Sequence, residues 1–214
     1  VKRALKLLAS AKKPLIILGK GAAYAQAEEQ VRTFVESTGI PFLPMSMAKG
    51  LRPDDHPQCA ASARSLVLGQ ADVVMLIGAR LNWLLTHGKG KKWNPEVQFV
   101  QLDIEPEEMD SNREIVAPIV GDIVSSLDLM LCKMEPFNIK CGDAWINSIH
   151  AVKQANAEKM QKINAAYEQI KNPEKSYGAS GGYGGYGYGY DPFGGGWQQS
   201  RSYTTSDDQY LRSA

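Results

Sequence analysis

Ala71-Asp72-Val73-Val74-Met75-Leu76-Ile77-Gly78-Ala79-Arg80 is the stretch that decides the fold. Its apolar residues run without alternation between an aspartate and a glycine. A strand with one face in water alternates apolar and polar residues; an unbroken Val/Ile/Leu run belongs to a strand covered on both faces, as in parallel sheets. Three other segments share the pattern. Leu15-Ile16-Ile17-Leu18 runs into Gly19-Lys20-Gly21, Val97-Gln98-Phe99-Val100-Gln101-Leu102 into Asp103-Ile104, and Ile115-Val116-Ala117-Pro118-Ile119-Val120 into Gly121-Asp122-Ile123. Open parallel sheets bind ligands in the crevice beyond the carboxyl ends of their strands. The endings therefore predict one rim carrying a lysine, an arginine and an aspartate, a set that suits a nucleotide better than a metal or a covalent mechanism.

The segments between these strands read as helices. Val1–Lys12 places Ala4, Leu5, Leu7 and Leu8 on one side and stops before Pro14, because the residue preceding proline avoids helical geometry. Gly19 and Gly21 permit a tight strand-to-helix turn. Tyr24–Thr38 is an amphipathic helix with Gly39 as its stop, followed by a short strand at Ile40–Leu43. Ser46–Gln58 reads as a loop, Ala60–Gly69 as a helix of small residues, and Glu105–Ser111 as a short acidic helix. Asp122 caps a helix running through Leu131. The stretch Leu81–Asn94, interrupted by Gly88 and Gly90, fits neither period. Strands and helices alternating at this spacing predict an α/β, doubly wound parallel sheet over residues 1–134.

Residues 135–175 are expected to form a linker and a helical extension, helical from Trp145 to Lys171 and more polar than the rest. The composition then breaks at Asn172-Pro173. Between Tyr177 and Trp197 lie 10 of the 20 glycines and five of the nine tyrosines. A stretch so poor in buriable surface cannot offset its backbone entropy, so residues 176–214 are predicted to be a disordered, low-complexity tail.

Bulk properties narrow the function classes. A formal net charge of +1 gives no global field for nucleic acid or membrane surfaces. Three cysteines, Cys59, Cys132 and Cys141, form neither a disulfide framework nor a zinc spacing, which suits a reducing, cytoplasmic setting. No apolar run approaches a membrane span. His56, His87 and His150 lack ligand spacing, and no Gly-x-Ser-x-Gly elbow supports hydrolase chemistry. The opening Val1-Lys2-Arg3-Ala4 has no initiator Met and no signal pattern, as expected of a piece of something longer.

Each candidate residue also has a plainer reading. Gly19-Lys20-Gly21 alone is turn punctuation. Arg80 alone fits a surface ion pair, and Asp103 alone fits a strand-end turn. Trp83 and Trp93 fit packing or subunit contact better than base stacking, and Lys89, Lys91 and Lys92 fit a solvated basic loop.

Several blocks together resemble one family. They are Gly19-Lys20-Gly21-Ala22-Ala23-Tyr24, Ala60-Ala61-Ser62-Ala63-Arg64-Ser65, Ala71 through Trp83 with its Gly78-Ala79-Arg80-Leu81-Asn82-Trp83 ending, Gln101-Leu102-Asp103-Ile104-Glu105-Pro106, and Gly121-Asp122-Ile123. From about Val1 to Lys159 the chain resembles the central domain of the oxalyl-CoA decarboxylases, with the 2-hydroxyacyl-CoA lyases as near neighbours. The resemblance implies thiamine diphosphate and Mg²⁺ as the cofactors of the whole enzyme, a CoA thioester as substrate, and homo-oligomeric subunits of three α/β domains. It also implies that the activating glutamate and the Gly-Asp-Gly metal motif lie in the other domains. Gly121-Asp122-Ile123 lacks the second glycine and a spaced Asn. No catalytic or metal residue is therefore assigned. The resemblance implies an ADP site: Lys20 and Arg80 on the phosphates, Asp103 on the ribose, and Ile104 and Ile123 against the adenine. Arg64 and Ser65 would approach CoA.

A second resemblance concerns Lys162-Ile163-Asn164-Ala165-Ala166-Tyr167-Glu168-Gln169-Ile170, which is similar to the last helix of a J domain, with the Gly/Tyr-rich stretch similar to the linker of DnaJ-like co-chaperones. On that alternative the chain is a fusion or self-associating protein and not an enzyme; the His-Pro-Asp tripeptide of J domains is absent. A nicotinamide-binding module is a further alternative, opposed by the break of Gly-x-Gly-x-x-Gly at Tyr24.

Overall fold

The structure, a computed structural model, describes residues 1–171; the Gly/Tyr-rich stretch lies outside the described residues. Five parallel strands form one sheet in the order β2-β1-β3-β4-β5: β1 is Pro14–Leu18, β2 Phe42–Pro44, β3 Val73–Ile77, β4 Gln98–Asp103 and β5 Ile115–Val120. The helices are α1 Lys2–Ser10, α2 Lys20–Tyr24, α3 Glu28–Thr38, α4 Arg64–Gln70, α5 Ile123–Lys133 and α6 Asp143–Lys171. The expected α/β architecture is present. From β1 the chain moves outward one way to β2, then returns to the other side through β3, β4 and β5. The reversal, between β1 and β3, is where open sheets of this class leave a crevice.

The unbroken apolar runs divide by residue parity. Ile16, Leu18, Met75, Ile77, Val100 and Leu102 point to one face and pack with Leu5 and Leu8 of α1, Phe34 and Val35 of α3, and Leu127 of α5. Leu15, Ile17, Val74, Leu76 and Phe99 point to the other and pack with Val67 and Leu68 of α4 and with Trp145 and Ile149 of α6. Trp145 also donates Nε1–H to the Pro14 carbonyl at 3.0 Å. The start of α6 is thus part of the core, while its side chains from Glu158 to Lys171 are exposed.

The edge strand β5 departs from burial on both faces. Ile115, Ala117 and Ile119 are buried, whereas Pro118 and Val120 are exposed. Helices α1 and α5 cover only one of its faces. A proline is tolerated there because no further strand needs its missing N–H.

Three helix assignments also shift. The helix expected over Tyr24–Thr38 starts only at Glu28: Tyr24 instead ends α2, and Gln26 at φ +53° separates the two helices and lets Ala27 enter the core beside Ala22. The expected helix at Ala60–Gly69 opens as a 3₁₀ turn, Ala61–Ala63, before α4. The acidic helix at Glu105–Ser111 shrinks to a 3₁₀ turn, Pro106–Glu108, because side chains satisfy its N–H groups locally. Asp103 Oδ1 accepts from Glu105 N at 3.1 Å, and Glu105 Oε1 from Glu107 N at 3.4 Å. Asp122 caps α5 as expected, its carboxylate accepting from Ser125 N at 2.8 Å. That bond holds the Asp122 carboxyl below its usual range. The ambiguous stretch Leu81–Asn94 is an irregular loop in which Thr86, His87 and Gly88 are consecutively left-handed, at φ +49°, +54° and +67°. Trp93 pins it from below by donating Nε1–H to Leu85 O at 2.8 Å.

Candidate nucleotide site

At the β1/β3 reversal the two strand ends touch through backbone alone. Gly19 N donates to Ile77 O and Gly21 N to Gly78 O, both at 2.9 Å. Gly78 has φ +56°, and a Cβ there would lie 2.3 Å from Ala22 N. A Cβ on Gly19 would lie 2.1 Å from Gly78 O. Neither position has room for any other residue. This contact sets the floor of a cleft of about 390 Å³.

Lys20, Arg80, Asp103 and Ile104 all line that cleft. The residues expected from separate strand ends therefore meet. Lys20 is the first residue of α2, and its Nζ lies 5.4 Å from the centre of the Tyr24 ring. Arg80 follows the Gly78 turn and is about half exposed. Its Nη1 pairs with the Glu108 carboxylate. Asp103 is the last residue of β4. Burial pushes its carboxyl up from the ordinary range and the neighbouring Glu108 adds to this; the backbone N–H groups of Glu105 and Ile104 and the charge of Arg80 oppose it. Ile104 is 68% exposed at the mouth of the cleft.

Ile123 is placed differently. It is buried in the core, and a Cβ on Gly21 would lie 3.3 Å from its Cδ1, so it sits beneath the glycine turn and does not line the cleft. Arg64 stands behind the opposite wall. It donates Nη2–H to Leu84 O at 3.2 Å and approaches Met45 Sδ at 3.7 Å, and both partners line the cleft. Its neighbour Ser65 is exposed on α4.

Several lining residues were not anticipated: Met45, Ser46 and Met47, Asn82, Leu84 and Leu85, and the carboxylates Glu105 and Glu108. Met45–Met47 follow β2, a strand too short to announce its own carboxyl end. Asn82 Oδ1 accepts from Leu84 N at 3.0 Å and shapes the loop that forms one wall. With Lys20 and Arg80 against Asp103, Glu105 and Glu108, the lining holds two cations and three carboxylates.

The Asp122 carboxylate is engaged in the α5 cap, and no group of three or more His, Cys, Asp or Glu side chains is arranged to hold a metal among the described residues. Burial pushes the Cys141 thiol up to about 11, far from a thiolate nucleophile. No helix among them is long and apolar enough to cross a membrane.

A five-stranded parallel sheet covered by helices, with a glycine-floored cleft at its reversal, defines a doubly wound α/β domain. Residues 1–130 match the family described as "Thiamine pyrophosphate enzyme, central domain", and the chain belongs to that family. Membership implies thiamine diphosphate as the cofactor of the whole enzymes.

Oxalyl-CoA decarboxylase of Escherichia coli (strain K12) is 58% identical over 162 residues, which cover 76% of this chain and 28% of that protein. The 2-hydroxyacyl-CoA lyase of Arabidopsis thaliana is 43% identical over 163 residues, 75% of this chain and 28% of that protein. 2-Hydroxyacyl-CoA lyase 1 of Homo sapiens is 38% identical over 169 residues, 78% and 28%. The chain thus spans just over a quarter of the length of these relatives.

Proposed function

We propose that this chain is the central, ligand-contacting domain of an oxalyl-CoA decarboxylase-like lyase, and that its cleft takes ADP. One observation carries the reading: Lys20, Arg80 and Asp103, up to 83 residues apart, line a single cleft at the sheet reversal. Arg80 offers a planar fork and Lys20 a point charge to phosphate oxygens. Asp103 accepts from ribose hydroxyls, and Ile104 covers one side of the adenine. Ile123 acts from beneath, by supporting the Gly21 turn. Arg64 and Ser65, on the far side of Met45 and Leu84, face a CoA thioester in the complete enzyme. The residues described here carry no turnover of their own. Thiamine diphosphate, Mg²⁺, the remaining domains and the oligomer supply it, in the cytoplasm.

Calorimetric titration of the chain with ADP tests the reading, with Arg80→Ala as the control. Saturable heat that the variant loses supports it. Absence of heat with the parent chain removes the nucleotide site and leaves only the family and the fold. The alternative of a DnaJ-like fusion rests on sequence alone, that of Lys162–Ile170 and of the Gly/Tyr-rich stretch after it. Stimulation of an Hsp70 ATPase would support it, and the missing tripeptide predicts none.

A further inference from the structure

The nucleotide reading leaves one ionic contact unexplained. Arg80, the strongest phosphate donor in the cleft, is already engaged by Glu108. The turn bearing Glu108 is held in place from below. Gln101 lies in the middle of β4, is 1% exposed, and sits among apolar neighbours. A buried side-chain amide there is costly unless it is hydrogen-bonded. Gln101 donates Nε2–H to the Glu108 carbonyl at 3.3 Å. Glu108 N in turn donates to Glu105 O at 3.3 Å, and Met109 N to Pro106 O at 3.1 Å. A buried residue of the sheet thus positions an acidic turn opposite the arginine.

The pair is well suited to exchange. The Arg80 side chain is 54% exposed and that of Glu108 25%, so water competes with the contact. Ion pairs in such settings are weak. A phosphate brings more charge and two oxygens that match the guanidinium fork. Glu105 and Asp103 lie beside Glu108, so the acidic side of the cleft repels any anion that fails to recruit Arg80.

We infer that Glu108, positioned by Gln101, is a built-in counter-ion that occupies Arg80 and gives it up to a nucleotide phosphate, and so sets the affinity threshold of the cleft. Glu108 is on this account a binding-determining residue of the same site; the inference rests on the nucleotide reading. Removing its charge frees Arg80 in advance and tightens phosphate binding. The gain passes through Arg80 and needs a phosphate on the ligand.

The test is a calorimetric cycle on the 214-residue chain with Glu108→Gln, Arg80→Ala and the double variant, each titrated with ADP and with adenosine. Glu108→Gln should bind ADP roughly two- to fivefold more tightly than the parent, the range expected for release of a half-exposed ion pair. It should bind adenosine as the parent does. On the Arg80→Ala background the Glu108→Gln gain should vanish. ADP binding by the parent with no gain in Glu108→Gln overturns the inference and leaves the nucleotide site standing. An equal gain on the Arg80→Ala background, or an equal gain for adenosine, also overturns it, since the effect would then be general charge or shape. No ADP binding by either the parent or Glu108→Gln overturns both the site and this role.

Discussion

The two sides of the cleft are built on opposite principles. On the β1/β3 side, Gly19, Gly21 and Gly78 bring backbone onto backbone at distances that exclude a Cβ. On the β4 side, Asp103 ends the strand and Glu105 and Glu108 belong to the short turn after it, held by hydrogen bonds that involve the side chains of Asp103, Glu105 and Gln101 and partly open to water. The first side cannot change without moving two strands. The second can change charge or partner while the sheet stays still. The glycine side holds two strands together, and the acidic side is where the proposed counter-ion to Arg80 sits.

The hardest way to break this contrast is Gly78→Ala. It forces a Cβ into a left-handed residue and onto Ala22 N, and should cost on the order of 3 kcal/mol or more. Denaturant unfolding measures it; a variant within about 1 kcal/mol of the parent would mean that the join relaxes easily. Arg80→Ala is next. It should lower ADP affinity by about tenfold to a hundredfold, the scale of a charged hydrogen bond. Its stability should stay within about 1 kcal/mol, because the Glu108 pair is half exposed. Calorimetry and thermal melts separate the two effects.

Asp103→Asn sharpens the contrast from the acidic side. The amide oxygen can still accept from Glu105 N, but the charge is gone. Burial raises the Asp103 carboxyl in the folded state above its unfolded value, so its stabilising form is the protonated one. That contribution is present below the ordinary carboxylate range and is lost as pH rises through the elevated folded value. Melting at pH 7 should therefore be unchanged or higher in the variant, and the advantage should shrink in acid. ADP binding should weaken as a ribose acceptor is lost. The smallest effect is expected for Lys20→Met, about a threefold loss in ADP affinity with no change in melting, since an exposed ammonium is a well-solvated point charge.

The strands were legible because burial on both faces requires unbroken apolar runs, and Val73–Ile77 shows no polar interruption. The α5 cap was legible from Asp122, since a cap is a local hydrogen bond. The helix break at Gln26 was not, because left-handed geometry at a glutamine follows from the packing of Ala22 and Ala27. Lys20, Arg80, Asp103 and Ile104 were readable as strand endings. Their meeting on one rim was readable as well, because parallel strands present their carboxyl ends along one edge of the sheet. Glu108 looked like one more residue of an acidic helix, and nothing local marked it as Arg80's partner 28 residues away. Trp145 read as the start of a separate helical extension; its hydrogen bond to Pro14, 131 residues distant, ties it to the sheet.

By itself the sequence determined the α/β class, the strand positions, the family and the chemical types along the rim, because hydrophobic patterning, turn glycines and capping act over a few residues. Tertiary structure alone decided the strand order β2-β1-β3-β4-β5, the withdrawal of Ile123 from the cleft into the core, and which carboxylate meets Arg80. Those outcomes depend on how distant segments pack, and packing brings together residues that no local pattern connects.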